Sequence, residues 1–305
     1  MNTAANHLRA VGASTWHATL AALLILFAGV HATGSAQPGT DEVQNTIVSL
    51  LAAGKSAIGV WTGAVGAPRI AKVLATSDAD FIVADMEHDI YDFQVLHTFL
   101  LEIADFHHRY RTQPRPAPAV LVKLAHRGGW DPRYEISEVM RVGPAAGVWV
   151  PIVESGSEMA RIVSAFGQSE QTALEGLNLP GQGGHTGVSP LWPLNPKGQL
   201  MVVGMIETEE GVRHAEEIVS TPGVAAIHVV HLAEPDNERI LRLCDKYHVV
   251  GAIDATPADV KSRVAAGWRL ISLGWDFGML QKQLGDTLKA TRGALGAGPT
   301  TAAIK

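Results

Sequence analysis

The chain has 305 residues, 47% of them apolar, and a net charge of −6 with acids and bases interspersed. This excludes broad disorder, and it offers neither a basic nucleic-acid face nor a polybasic membrane patch. A single cysteine, Cys244, excludes an internal disulfide and any cysteine-rich metal site; in "RILRLCDKYH" it reads as a buried, inert thiol on a helix.

Residues 1–36 read as a signal peptide. Arg9 supplies the positive end, Leu20 to Val30 form an apolar run too short to span a bilayer comfortably, and the small residues of "VHATGSAQPG" follow. Cleavage is expected after Ala32 or Ala36, which makes the mature protein exported, periplasmic or secreted, with no stable membrane insertion. An uncleaved anchor helix is the competing reading.

Eight short apolar runs rich in β-branched residues then recur, at 57–63, 81–86, 119–125, 147–153, 201–207, 226–232, 249–255 and 270–276. Segments with helical spacing separate them. "APRIAKVLATSD" sets Ile70, Val73 and Leu74 on one face, and "DFQVLHTFLLEIADFHHRY" aligns Val95, Phe99 and Ile103. "SGSEMARIVSAF" opens with serines suited to an N-cap, and "TPADVKSRVAAG" pairs Thr256 with Asp259 in a near capping box. "EPDNERILRLCDKYH" and "MLQKQLGDTLKATRGAL" complete the set.

Strand and helix alternating eight times predict an α/β fold, a (β/α)8 TIM barrel over 37–295, with 296–305 as a loose tail. Continuous rather than alternating apolar runs suit strands covered on both faces. A doubly wound open sheet is the alternative, but no glycine-rich phosphate loop follows the first strand. The stretch 164–200 is rich in Gly, Pro and Asn and reads as a helix end followed by a large loop.

In such a barrel the active site lies at the C-terminal rim. The second run, "FIVADMEHDIYD", ends in Asp85, Glu87 and His88, the third holds Lys123 and is followed by His126 and Arg127, and the fifth ends in Glu207. Glu207 sits above an apolar strand, so its carboxylate wants a metal, another cation or a proton; a rim salt bridge with Lys123 or Arg127 is the plainer alternative. His88 beside Asp85 suits a neutral general base whose other ring nitrogen the acid fixes. Glu87 either orients His88 or caps the next helix. Lys123, inside a strand, meets either a substrate carboxylate or a rim acid. His107 and His108 read as solvated helix surface, His228 and His231 as a poor chelating pair on opposite faces, and Trp61, Trp149 and Trp275 as packing residues.

Taken in order, "GVWTG", "DFIVADMEHDIYD", "VWVPIVESGSEMARIV", "MIETEEGV" and "ISLGWDFGML" resemble the HpcH/HpaI aldolase family, class II pyruvate aldolases related to the citrate lyase β-subunit. The resemblance runs from about Ile58 to Leu280 and implies a (β/α)8 barrel, often with the last helix exchanged between subunits in a hexamer. It implies a divalent metal (Mg2+, Mn2+ or Co2+) that chelates a small 2-oxo acid and stabilises the enolate of pyruvate. By the same resemblance His88 is the base, assisted by Asp85, and Glu207 is the first metal carboxylate.

Three positions depart from the family's pattern. Lys123 stands where the family has a pyruvate-binding arginine, which keeps the charge and loses the bidentate fork; Arg127 is the candidate to compensate. Ala233 aligns with the family's second metal aspartate, and Glu234, one position on, is the preferred substitute, with Asp236 beyond it. The loop before the fifth strand becomes "LPGQGGHTGVSPLW", bringing His185 as a newcomer. The expected activity is metal-dependent cleavage of a 4-hydroxy-2-oxo acid to pyruvate and an aldehyde. The alternative is a repurposed, non-catalytic barrel that binds an oxo acid or a protein.

Overall fold

A computed structural model describes residues 45–110, 115–125, 131–173 and 189–296. The predicted signal peptide, most of the predicted tail, and His126, Arg127 and His185 with the roles expected of them lie outside the described residues.

The elements, in chain order, are α1 (Thr46–Ala52), β1 (Ala57–Thr62), α2 (Pro68–Ala75), β2 (Phe81–Asp85), α3 (Phe93–Tyr110), β3 (Ala119–Lys123), α4 (Pro132–Val142), β4 (Gly147–Val150) and α5 (Gly156–Ala173). They continue with β5 (Met201–Ile206), α6 (Glu209–Arg213), α7 (Ala215–Val219), β6 (Ala226–Val229), α8 (Glu234–Tyr247), β7 (Val250–Asp254), α9 (Val260–Ala266), β8 (Leu270–Trp275) and α10 (Asp276–Ala294). The strands pair in parallel, each with its sequence neighbour, and β8 closes on β1: a (β/α)8 barrel. Each predicted apolar run contains one strand.

Differences from the sequence reading have local causes. Helices α1, α4, α6 and α7 have no counterpart among the named helical segments. Helix α5 runs to Ala173, the helix end expected in 164–200, and 189–200 form turns closed by a bridge between Leu191 and Leu200. Helix α9 begins at Val260 because the Thr256 amide donates to Asp259 Oδ1 (2.6 Å), making a turn ahead of the helix. On α2 the buried residues are Ala71, Leu74 and Ala75, while Val73 faces solvent. His107 is buried, with its two ring nitrogens against the carbonyls of Ala75 (3.0 Å) and Arg115 (2.9 Å), so it ties α3 to the ends of α2 and the approach to β3.

Two apolar clusters form the core. One lies between the barrel and its helices; the other fills the barrel. Ile47, Val48 and Leu51 of α1 join the interior cluster. Thr46 Oγ1 donates to the carbonyl of Ala117 and Asn45 Nδ2 to that of Gln199, residues that precede β3 and β5. Helix α1 therefore plugs the N-terminal mouth. At Gly147 (φ +137°) any Cβ would collide with the Met201 backbone, which requires glycine at the start of β4.

The registers stack the inward side chains in layers drawn from alternate strands. Even strands contribute Val83, Trp149, His228 and Ser272. Odd strands contribute Trp61, Lys123, Met205 and Asp254 directly above. The lower part of the barrel is apolar, and charge enters only at the C-terminal mouth.

Burial raises the Cys244 thiol to about 12, so it carries no thiolate chemistry.

Candidate active site

Asp85 ends β2 and folds the next three residues around itself. Its Oδ1 accepts the backbone N–H of Glu87 (2.7 Å) and of His88 (2.8 Å), and its Oδ2 lies 3.0 Å from His88 Nδ1. Asp85 pairs in register with Lys123 on β3, whose Nζ is 3.3 Å from Asp85 Oδ2 and 2.5 Å from Glu87 Oε2. Asp85 and Lys123 are both buried. The Lys123 ammonium meets rim acids, one of its two sequence alternatives, and Glu87 Oε2 lies between it and His88 Nε2, 3.8 Å from the latter.

Lys123 Nζ also lies 3.2 Å from His88 Nδ1. If Nδ1 accepted a hydrogen bond from the Lys123 ammonium, it would carry a lone pair and have no proton for the Asp85 carboxylate 3.0 Å away. The arrangement without that conflict has Nδ1–H donating to Asp85 and the ammonium paired with the two carboxylates. Nε2 then carries the free lone pair. The His88 side chain is 60% exposed, so this basic nitrogen, with Glu87 Oε2 3.8 Å away, can still meet a ligand in the mouth. The Trp275 ring meets the imidazole edge-on (centroids 6.0 Å apart) and stacks on Trp61, whose Nε1–H donates to Ser272 Oγ (2.7 Å).

Glu207 follows β5. Its Oε1 accepts the N–H of Ile152 at 2.9 Å. Ile152 has φ +51°, a left-handed conformation that a β-branched residue resists at a cost of about 1–3 kcal/mol. The strained turn after β4 thus aims an amide at Glu207. No salt bridge joins Glu207 to Lys123, whose charge is already taken. Next to it Thr208 caps α6 and donates to Glu154 Oε1 (2.8 Å).

Glu234 is placed differently from the sequence reading. It opens α8, its Oε1 accepts from Arg263 Nη1 (2.5 Å) and its Oε2 from Asn237 Nδ2 (3.2 Å). These bonds, Arg263 first, hold its carboxyl below the usual carboxylate range. In the first turn of α8 both Glu234 oxygens are therefore engaged by protein donors.

One pair escaped the sequence reading. His228 of β6 is buried inside the barrel against Trp61 and Trp149, and its Nε2 lies 3.4 Å from Asp254 Oδ1 at the end of β7. Neither ring nitrogen makes a hydrogen bond among the described residues, so the contact with Asp254 is electrostatic. Burial pushes Asp254 up, but His228 and Ser272 outweigh it, and the carboxyl ends below its ordinary value. The visible signal was inward parity on neighbouring strands, yet the level each reaches depends on the barrel's stagger.

Among the described residues no group of three or more His, Cys, Asp or Glu is arranged as a metal cage. The mouth is nonetheless rich in anions, with Asp85, Glu87, Glu207 and Asp254 set against Lys123. A hard divalent cation suits an oxygen donor with surplus negative charge around it, and Glu207, with one oxygen on Ile152, is the donor that fits.

The barrel is similar to that of an HpcH/HpaI aldolase/citrate lyase family protein from Burkholderia cenocepacia (TM-score 0.64, 21% identity, covering 81% of this chain and 99% of that one). A hydroxypyruvate/pyruvate aldolase of Chromohalobacter salexigens is 24% identical over 79% of this chain and 95% of its own length. One from Paraburkholderia phytofirmans is 27% identical over 78% and 91%. The family model for HpcH/HpaI aldolase/citrate lyase matches residues 57–236, which runs from the first residue of β1 into α8 and takes in the Asp85–His88 turn, Lys123 and Glu207. The chain therefore belongs to the HpcH/HpaI aldolase/citrate lyase family.

Proposed function

We propose that this chain is a metal-dependent carbon–carbon lyase that cleaves a 4-hydroxy-2-oxo acid to pyruvate and an aldehyde. The observation that carries the reading is His88 held at Nδ1 by buried Asp85 with its Nε2 open to the mouth. Nε2 takes the 4-hydroxyl proton as the C3–C4 bond breaks and its electron pair passes into the 2-oxo group. Asp85 fixes the tautomer and stabilises the imidazolium that forms. The imidazolium then returns the proton to C3, giving pyruvate. A divalent cation, bound through Glu207, supplies the positive charge that favours the enolate. The anionic mouth supports it, since a 2-oxo acid meets net negative charge there without an added cation. Arg127 remains a proposed contact for the substrate carboxylate, and Glu234 is left out of the metal set.

The test is pyruvate release from 4-hydroxy-2-oxo acids with Mn2+ or Mg2+, before and after EDTA. Calorimetry should find Mn2+ binding lost in Glu207→Gln and kept in Glu234→Gln. A folded, metal-loaded protein that releases no pyruvate defeats the reading. The commitment of Glu234 to Arg263 favours a second reading, a barrel that binds an oxo acid without turning it over. That barrel would bind the acid in EDTA as well as in Mn2+.

The same reading includes a homo-oligomer. Helix α10 has no buried residue, although Phe277, Leu280, Leu284 and Leu288 line one face. On the outside of the barrel Ile58 of β1 and Leu273 of β8 are exposed, where parallel strands need cover. An uncovered helix and an uncovered pair of strands in one chain suit exchange of α10 between copies. Light scattering should give a multiple of the chain mass, and Leu280→Glu with Leu284→Glu should shift it to monomer. A monomeric parent protein would refute the exchange. Export remains a proposal from residues 1–36. Among the described residues no helix is long and apolar enough to cross a membrane.

A further inference from the structure

The aldehyde half of the substrate has a specific place left to it. Around the mouth, β2 and β3 carry the base with its ion pairs, and β4 and β5 carry Ile152 and Glu207. The remaining arc runs from β6 to β1. Its upper layer is Asp254 and Trp61, with Trp275 stacked on Trp61. His228 and Ser272 form the layer beneath.

A buried imidazole among tryptophan rings with no hydrogen bond is costly unless it serves something. It sits under a half-exposed carboxylate at the floor of the mouth. Ser272, the register partner of Asp254 on β7, has its oxygen engaged as acceptor by Trp61 Nε1 (2.7 Å) and the Gly274 amide (3.2 Å). The carboxyl of Asp254 stays ionised, because these two neighbours outweigh its burial.

We propose that Asp254 is a specificity-determining residue that selects an uncharged, hydroxylated aldehyde half and rejects one that ends in a carboxylate. This rests on the aldolase reading above and goes beyond it in naming the substrate class. A fixed anion in this arc satisfies hydroxyl donors on the ligand, and the half-buried Trp275 ring, backed by Trp61, covers its carbon skeleton. A second carboxylate brought to the same place meets like charge, and the ammonium beside Trp61, that of Lys123, is already paired with Asp85 and Glu87. His228 is a positioning residue, holding Asp254 from below without touching the ligand.

The experiment is aldol addition by the full, Mn2+-loaded protein, with pyruvate as donor and either glyceraldehyde or succinic semialdehyde as acceptor. The wild type should favour glyceraldehyde in kcat/KM by about tenfold or more, the scale of one short-range like-charge contact. Asp254→Asn should lower that ratio by about tenfold and leave the KM for pyruvate unchanged. Asp254→Lys should invert the preference. His228→Phe should move the ratio in the same direction by a smaller factor. Circular dichroism checks each fold, with Asp254→Ser as replacement for a variant that does not fold. An unchanged ratio in Asp254→Asn, or a wild type that prefers succinic semialdehyde, overturns the assignment while leaving the aldolase standing. A wild type that joins pyruvate to neither acceptor overturns both.

Discussion

Replacing His88 with asparagine is expected to lower kcat for cleavage by about 10² to 10⁴, the usual worth of a positioned general base. The thermal transition should barely move, because the ring is largely exposed and its packing partner is the edge of Trp275. Substrate affinity should also hold, since the imidazole acts on a proton in transit rather than on the bound acid. Asp85→Asn should give a comparable loss by a different route. An amide in place of Oδ2 no longer dictates that Nδ1 carries the proton, so a fraction of molecules present the wrong nitrogen to the mouth. Single-turnover release of pyruvate, followed with a coupled dehydrogenase, reads both. A His88→Asn enzyme that keeps more than about a tenth of the parent rate would remove the imidazole from the mechanism.

Lys123→Met should cost about 3–5 kcal/mol of stability, the range for removing one partner of a buried ion pair. The reason is Asp85. Its side chain is 0% exposed, and Lys123 Nζ is the cation within 3.3 Å of it. Without that ammonium a desolvated carboxylate keeps two backbone amides and a neutral imidazole as partners. For a barrel of this size the loss corresponds to a fall in Tm of about 10 °C. Combining Lys123→Met with Asp85→Asn should recover most of it, because no uncompensated charge is then left in the interior. Lys123→Arg tests the same point from the other side: the larger guanidinium must displace Glu87 or the Trp61 ring, whose centroid is 5.6 Å from Nζ. Calorimetric melts of the four proteins decide it. A loss below about 1 kcal/mol in Lys123→Met would mean that the charge is dispensable to the interior and available for substrate.

The barrel was legible because its signal is repetitive. Eight β-branched runs separated by helical spacings leave few topologies, and parallel strands covered on both faces need continuous apolar stretches. The Asp85–His88 turn was legible for the same kind of reason, since its bonds span three residues. Helices α6 and α7 were hidden by their length, as five residues give no helical period to read. Val73 was assigned to the wrong face of α2 because one apolar residue more or less shifts the stripe by a whole position. The position of Glu234 and the pairing of His228 with Asp254 depend on long-range facts: which side of α8 meets α9, and how far the strands are staggered around the closed sheet. No local pattern encodes either.

The compact Asp85 turn has an evolutionary side. On the proposed reading, proton transfer depends on one tetrapeptide and its neighbouring strand, whereas the groups facing the rest of the ligand come from β6 to β1. Drift in those distant strands can retune what is accepted without disturbing how bonds are broken. A scaffold divided this way can explore new metabolites by single substitutions while its chemistry stays in working order.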